Sequence, residues 1–258
     1  MATNKPRVAF FDFASCEGCQ LEVLALEEKL LPVLSLIDIV HWREAMTESS
    51  PDYDVAIVEG SITREEDVPR IQAIRKQAKV LIAMGSCAVS GGVNASKNNH
   101  KFDEAMTEVY GEKARLFSTS EVRPISAVVP VDYTIPGCPI NNEEFLVVVQ
   151  HALMGKPYTP PSRSVCFECK FNETVCVYEK GMACLGPITK CGCKAICTKF
   201  GHVCYGCRGV VDQPNLNSAK DVLAKYGYTV EGLVARAGIY NSYVAKKELA
   251  EVGQAKAQ

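Results

Sequence analysis

The sequence lacks a charge excess of either sign, a long apolar run and a nucleotide-binding loop. Its 28 Lys and Arg residues are balanced by 30 Asp and Glu residues, so no global field attracts nucleic acid or an anionic membrane. No apolar run approaches the roughly 20 residues that span a bilayer, and neither a signal-peptide core nor a twin-arginine pair is visible. Neither a G-x-G-x-x-G after a strand nor a P-loop is present. We expect a cytoplasmic protein with no nucleic-acid partner, no membrane span and no nucleotide site.

Cysteine, by contrast, is abundant, with 13 in 258 residues. The odd count, the missing export signal and a chain long enough to fold without staples argue against disulfides. In a reducing cytosol, clustered thiolates bind soft metals or iron-sulfur cores instead. Four cysteines are spread over the first 155 residues, and nine crowd between Cys166 and Cys207. Metal ligation is therefore the favoured interpretation of both groups.

The chain divides near Lys156, where residues 155–162 contain three prolines and no apolar periodicity. Before this stretch, short apolar runs alternate with segments of helical spacing, which predicts a parallel sheet buried between helices. We predict an α/β fold, with a flavodoxin-like domain over residues 1–155 and a loop-rich iron-sulfur domain with few helices over residues 156–258.

The apolar pattern also predicts the individual elements. Strands are expected over residues 7–13, 37–42, 55–59, 79–84 and 127–135. Helices are expected over residues 21–31, where Pro32 ends the helix, over 64–78, and over 142–153 with Asn141 as its N-cap. A helical tail is expected over residues 218–226, 230–239 and 243–250.

Four early cysteines follow predicted strands. Cys16 and Cys19 come after the first strand, Cys87 after the fourth and Cys138 after the fifth. Because ligands of such sheets lie beyond the carboxyl ends of the strands, these thiols converge on one edge. Neighbouring glycines let the backbone approach bulky sulfide, so the four can hold a [4Fe-4S] cluster. Ordinary burial of small apolar thiols and a four-thiolate zinc site remain as alternatives.

The nine later cysteines amount to two sets of four and one left over. One compact set has the spacing C-x3-C-x6-C-x2-C and consists of Cys193, Cys197, Cys204 and Cys207. The other set consists of Cys166, Cys169, Cys176 and Cys184. Cys191 remains, with burial as its expected role, although it could exchange roles with Cys193.

Five motifs together resemble the small, electron-transferring subunit of a [NiFe]-hydrogenase. They are S-C-E-G-C at 15–19, G-S-C at 85–87, G-C-P at 137–139, C-L-G-P-I-T at 184–189 and C-Y-G-C-R-G at 204–209. The resemblance runs in order from about residue 7 to residue 209. Within that family the sequence is most similar to the cytoplasmic branch of sulfhydrogenases and other NAD(P)-linked or F420-linked enzymes.

The resemblance implies three [4Fe-4S] clusters. A proximal set faces the nickel-iron centre of the large subunit and comprises Cys16, Cys19, Cys87 and Cys138. A distal set comprises Cys166, Cys169, Cys176 and Cys184, with Cys166 at a position where membrane-bound relatives have His. A medial set comprises Cys193, Cys197, Cys204 and Cys207, four ligands where those relatives have three.

The implied function is electron relay in a hydrogenase whose catalytic centre lies in the large subunit, so this chain has no catalytic residue. Its implied partners are that large subunit and an NAD(P)-linked diaphorase or other iron-sulfur acceptor subunit. Alternatives are an F420-linked or heterodisulfide-reductase-linked hydrogenase, a non-hydrogenase complex such as respiratory complex I, and a zinc-binding interaction module. Glu17 is expected to be an interface carboxylate rather than a proton relay, and His202 a donor to a ligand rather than a ligand.

Overall fold

A computed structural model describes residues 5–213, 221–222, 224–229, 232 and 235–244. Within them, one sheet of five parallel strands has the order β2-β1-β3-β4-β5. The strands are β1 (Arg7–Asp12), β2 (Asp38–His41), β3 (Val55–Glu59), β4 (Val80–Met84) and β5 (Tyr133–Ile135). This order is the flavodoxin-like arrangement, so the predicted fold is confirmed.

Eight α-helices are defined in the same part of the chain. They are α1 (Gly18–Leu24), α2 (Leu31–Leu36), α3 (Asp67–Gln77), α4 (Gly85–Ser90), α5 (Phe102–Tyr110), α6 (Asn142–Leu153), α7 (Val165–Phe171) and α8 (Ile196–Lys199). Residues 235–244 are also helical. No helix among the described residues is both long enough and apolar enough to cross a membrane.

Both faces of the sheet are buried. Successive side chains of a strand point to opposite sides, and each side packs into its own hydrophobic core. Phe10 and Ile57 pack on the side of Phe145 in α6. Val58 belongs to the core on the other side, with Ile71 of α3. Burial of each such side chain stabilises the fold by about 1.5–3 kcal/mol. Helices thus cover both faces and leave the carboxyl edge for the loops that carry cysteine.

The predicted helix over residues 21–31 is wrong in its extent. Helix α1 ends at Leu24, a 3-10 turn covers Glu27–Leu30, and α2 then begins with Pro32 in its first turn. Proline is tolerated there because the first backbone N–H groups of a helix have no intrahelical acceptor. Pro32 therefore helps to begin a helix rather than ending one.

The predicted strand over residues 127–135 is too long, since only Tyr133–Ile135 pairs in the sheet. Pro130 lacks a backbone donor for a ladder. The Asp132 side chain accepts the Leu81 N–H at 2.7 Å, which occupies a β4 donor just before β5. Helix α3 also begins at Asp67 rather than near residue 64. The predicted cap of α6 is confirmed, because Asn141 Oδ1 accepts the Glu144 N–H at 3.0 Å.

After α6, residues 156–163 form no helix or strand. The rest of the chain is held by α7, α8, short 3-10 turns and a small core that includes Val165, Tyr178 and Val203. The division into residues 1–155 and 156–258 stays a prediction. Of the predicted tail, residues 221–222, 224–225, 232 and 235–244 are helical, and residues 218–220, 223, 230–231, 233–234 and 245–250 lie outside the described residues.

Candidate metal centre

The four early cysteines lie at the carboxyl edge of the sheet. Cys19 is in α1 and Cys87 in α4, whereas Cys16 and Cys138 lie in the loops after β1 and β5. The pKa of the Cys87 thiol is raised to about 12, first by burial and then by the nearby Cys138 and Cys16. Burial likewise raises the pKa of the Cys19 thiol, and the nearby Cys138 contributes to this rise. The four thiols therefore lie close enough to interact electrostatically with one another.

Two glycines allow the backbone to pass directly against this sulfur. At Gly85, whose φ is +87°, an added Cβ would lie 2.5 Å from Cys19 Sγ. At Gly92, whose φ is +55°, it would lie 2.8 Å from Cys87 Sγ. Both the positive φ and the close approach exclude a side chain. This is the function that the sequence predicts for glycines beside the cysteines.

A buried carboxylate holds the first turn of α1, which contains Cys19 and follows Cys16. Glu59, the last residue of β3, accepts the backbone N–H groups of Cys19 and Gln20 at 3.2 Å each. Burial raises the pKa of the Glu59 carboxyl, and these two donors oppose that rise. This contact was not predicted from the sequence, although a carboxylate at the ligand edge of an apolar strand was a usable signal.

Replacing Glu59 by glutamine is expected to destabilise the protein by about 1–3 kcal/mol, because the two N–H groups bond to different carboxylate oxygens and one of them would then face the amide NH2, a donor. Urea unfolding measures the change. The matched control is Glu104→Gln at an exposed carboxylate, with an expected change under about 0.5 kcal/mol. Equal stability of the two variants would contradict the positioning role of Glu59.

The distal set also lies together. Cys166 and Cys169 are in α7. The pKa of Cys166 is raised to about 12, first by burial and then by the nearby thiols Cys184, Cys169 and Cys176. Cys184 is buried, and its sulfur accepts backbone N–H groups from Gly186 at 3.4 Å and from the later cysteine Cys204 at 3.2 Å. Such N–H···S bonds are suited to sulfur that carries negative charge.

The medial set lines one cavity of about 410 Å³, together with Cys138. The pKa of Cys207 is raised to about 12, first by burial and also by its neighbours Cys193, Cys138 and Cys197. Burial is also the main cause that raises the pKa of Cys193 to about 11. The cavity walls thus combine all four medial thiols with one proximal thiol.

The medial set lies near both other sets. Cys138 interacts electrostatically with Cys207 and Cys197, and Cys184 receives the N–H bond from Cys204. The three sets consequently follow one another as proximal, medial and distal.

Within the described residues, no group of three or more His, Cys, Asp or Glu side chains has the geometry to hold a metal ion.

A buried ion pair joins the loops of the proximal and medial sets. Arg208 donates to both carboxylate oxygens of Glu144, at 2.7 and 2.9 Å, and both side chains are almost fully buried. Its other donors reach the carbonyl oxygens of Pro136 at 2.6 Å and Cys191 at 2.8 Å. Tyr158 donates to the same carboxylate at 2.8 Å. The Arg208 guanidinium, next to Cys207 in the sequence, thus links its own loop to Pro136, which lies just before Cys138, and to Cys191.

A second carboxylate shapes the loop around Cys193. Glu168 lies between Cys166 and Cys169, and it accepts the N–H groups of Gly192 at 2.8 Å and Ala195 at 3.0 Å. Ala195 has φ +50°, a left-handed conformation that non-glycine residues adopt only when their surroundings hold them. Glu168 thereby connects the distal motif to the medial loop.

The structure also shows the contacts of three other residues that the sequence analysis considered. Cys191 is buried, and its N–H donates to the Arg163 carbonyl at 2.7 Å. The Glu17 carboxyl is hydrogen-bonded to Glu44, which raises its pKa. The side chain of His202 is exposed, while its backbone N–H donates to the Cys197 carbonyl at 2.9 Å. This backbone bond supports the medial loop.

Comparison with protein families matches residues 16–152 to the family described as NADH ubiquinone oxidoreductase, 20 kDa subunit. Among individual proteins, sulfhydrogenase 2 subunit delta of Pyrococcus furiosus is 36% identical over 84% of this chain and 92% of its own length. A subunit of the F420-non-reducing hydrogenase vhu of Methanocaldococcus jannaschii is 32% identical, over 94% of this chain and 96% of the relative. The NAD-reducing hydrogenase HoxS subunit delta of Cupriavidus necator is 30% identical over 62% and 84%.

Two solved structures extend this similarity. A chain of an NAD+-reducing [NiFe]-hydrogenase matches with a TM-score of 0.53 and 28% identity, over 61% of this chain and 96% of that chain. A chain of the Dm. baculatum [NiFeSe]-hydrogenase matches with a TM-score of 0.55 over 83% and 98%, and its 15% identity carries the fold alone.

Proposed function

Since the chain belongs to the NADH ubiquinone oxidoreductase 20 kDa subunit family, and within it to the small subunits of [NiFe]-hydrogenases, we propose that it relays electrons between a large subunit and an acceptor subunit. The observation that carries this proposal is the row of three thiol sets. Cys138 and Cys207 line the same cavity, and the Cys204 N–H donates to Cys184 Sγ, so neighbouring sets lie close together.

The donor set fits three [4Fe-4S] clusters. Four soft thiolates per set are the usual ligands, Gly85 and Gly92 leave room at the sulfur atoms, and backbone N–H groups already donate to Cys184. The proposed ligands are the proximal, medial and distal sets as defined above. When bound, the clusters supply one-electron carriers.

The chain's own residues would position and insulate these carriers. Glu59 and Glu168 hold the loops of Cys19 and Cys193 through backbone N–H groups. Arg208, almost fully buried, places a fixed positive charge beside Cys207 and Cys193. The Glu144 carboxylate pairs with this guanidinium, so the ion pair is neutral overall. The proposed location is the cytoplasm, where thiols remain reduced.

The proposed partners are a large subunit that contains the nickel-iron centre and an NAD(P)-linked diaphorase subunit. The similarity to the NAD-reducing hydrogenase HoxS subunit delta supports this acceptor. A second candidate is an F420-linked or heterodisulfide-reductase-linked hydrogenase. The more extensive match to the F420-non-reducing hydrogenase of Methanocaldococcus jannaschii favours an acceptor other than F420 within this alternative. H2-dependent reduction of NAD, NADP, F420 and a heterodisulfide by the purified complex discriminates between them.

The cofactors are tested by metal and sulfide analysis of the complex purified without oxygen. About twelve iron atoms and about twelve acid-labile sulfides in this subunit correspond to three clusters with four of each. A protein that contains zinc without sulfide would contradict the proposal and support an interaction module. The cysteines beyond residue 152, where the family match ends, disfavour the complex I alternative.

Replacing Cys191 by serine is expected to leave all three clusters in place, because the partition into sets of four does not need this thiol. Its surroundings include the buried guanidinium of Arg208, which bonds to the Cys191 carbonyl rather than to its sulfur. Iron content and EPR spectra of the variant are the measurements. Loss of one cluster's iron from the variant would show that Cys191 is a ligand and that the partition is wrong.

A further inference from the structure

Helices α7 and α8 are held against each other, and each carries a cysteine of a different set. Cys169 of the distal set is in α7, and Cys197 of the medial set is in α8. From α7, Glu168 accepts the N–H of Ala195, the residue directly before α8, at 3.0 Å. This bond fixes the start of α8 beside the distal motif.

The packing of the two helices brings one hydroxyl group to a proposed distal ligand. Thr198 Oγ1 of α8 and Cys169 Sγ of α7 are hydrogen-bonded at 3.0 Å, although the residues are 29 positions apart. Thr198 is only 5% exposed, whereas its neighbour Lys199 is exposed. The threonine side chain is therefore turned away from solvent and toward the distal set.

The hydroxyl is the donor of this bond when Cys169 binds metal. A ligated thiolate has no proton, so its sulfur can only accept. The Thr198 hydroxyl can also donate to the Ala195 carbonyl at 3.0 Å, but that carbonyl already accepts the Lys199 N–H at 3.0 Å. Because the sulfur is charged and the carbonyl has another donor, the hydroxyl proton is directed to Cys169 Sγ.

A donor at this sulfur has a definite effect on the cluster. Reduction adds one negative charge to a four-thiolate cluster, and part of that charge resides on the ligand sulfur atoms. A hydroxyl bond to the sulfur is stronger in the more negative form, and hydrogen bonds to sulfur are among the groups that set the potential of a cluster. Removing the hydroxyl therefore destabilises the reduced form more than the oxidised form.

We propose that Thr198 is a positioning residue whose hydroxyl, by donating to Cys169 Sγ, raises the reduction potential of the distal cluster. This inference rests on the proposed [4Fe-4S] cluster at the distal set. Thr198 directly follows Cys197, a proposed medial ligand, but its hydroxyl bonds to a distal ligand. A raised distal potential favours electron transfer from the medial set to the distal set.

The test is Thr198→Val in the intact complex, with each cluster's midpoint followed by EPR during redox titration. Valine has nearly the shape of threonine but no hydroxyl. The distal signal is assigned by its loss in Cys176→Ser. The distal midpoint is expected to shift to lower potential, while the other two midpoints stay at their wild-type values.

Two further variants separate the hydroxyl from packing. Thr198→Ser keeps the hydroxyl and loses a methyl group, and it is expected to retain the wild-type distal midpoint. Thr107→Val makes the matched change in α5, where the hydroxyl donates to the Asp103 carbonyl at 2.7 Å, and it should leave all midpoints unchanged. A distal shift in Thr198→Ser as large as that in Thr198→Val would overturn the inference in favour of packing.

The outcomes also separate this inference from the proposed function. A wild-type subunit without iron and sulfide contradicts both. A fully loaded Thr198→Val complex with an unchanged distal midpoint contradicts the inference alone. Should that variant fail to assemble, brief exchange of the wild-type complex into D2O provides the test, because hydroxyl protons exchange faster than hydrogen-bonded amides. A deuteron coupled to the distal cluster is expected, and its absence overturns the inference.

Discussion

Replacing Cys138 by serine is expected to reduce H2-dependent acceptor reduction by the complex to background. Serine presents a hard oxygen in place of a soft thiolate, and iron-sulfur sites select thiolate. Cys138 interacts electrostatically with the other three proximal thiols and with Cys207 and Cys197 of the medial set. In the proposed relay, its loss should therefore remove the proximal cluster and interrupt electron transfer. Activity assays with H2 and iron analysis are the measurements.

The matched control is Cys191→Ser, which makes the same chemical change at a buried cysteine outside the three sets. It is expected to keep wild-type iron content and activity. A Cys138→Ser complex that retains full H2-dependent acceptor reduction would contradict the assignment of the proximal set. Isotope exchange between H2 gas and solvent deuterons should survive in the Cys138 variant, because the proposed nickel-iron centre that activates H2 lies in the large subunit.

Replacing Arg208 by methionine is expected to destabilise the subunit by about 3–5 kcal/mol. The substitution leaves the carboxylate of Glu144 buried without its bidentate partner, and an uncompensated buried charge has a cost of that size. The carbonyl oxygens of Pro136 and Cys191 lose their donor as well. Urea unfolding of the anaerobically purified subunit measures the loss.

Two variants test the electrostatic explanation. Lys101→Met removes a cation from the exposed pair with Glu104, and its expected effect is below about 1 kcal/mol. Combining Arg208→Met with Glu144→Leu removes both buried charges and should recover most of the lost stability. If the double variant is less stable than Arg208→Met alone, the unpaired carboxylate is not the cause of the loss.

The sheet was predictable because local patterns determine it. Continuous apolar runs such as β3 indicate strands covered on both faces, and the predicted bounds of that strand agree with the structure. The strand before Cys138 was overpredicted because apolar composition does not reveal that the Asp132 side chain occupies a β4 donor. Pro32 misled for a related reason, since proline is favourable at the start of a helix as well as disruptive inside one.

The groups that hold the cysteine loops were largely beyond prediction, because they are distant in sequence. Glu59 and Cys19 are 40 positions apart, and Arg208 and Glu144 are 64 apart. No periodicity links such pairs.

The burial of the thiols has a consequence for assembly. A thiol must surrender its proton before it can ligate metal, and burial raises the pKa of Cys87, Cys166 and Cys207 to about 12. Hydrogen ions and iron therefore compete for the same sulfur atoms. In the proposed subunit, a lower pH would therefore favour protonated thiols over iron ligation.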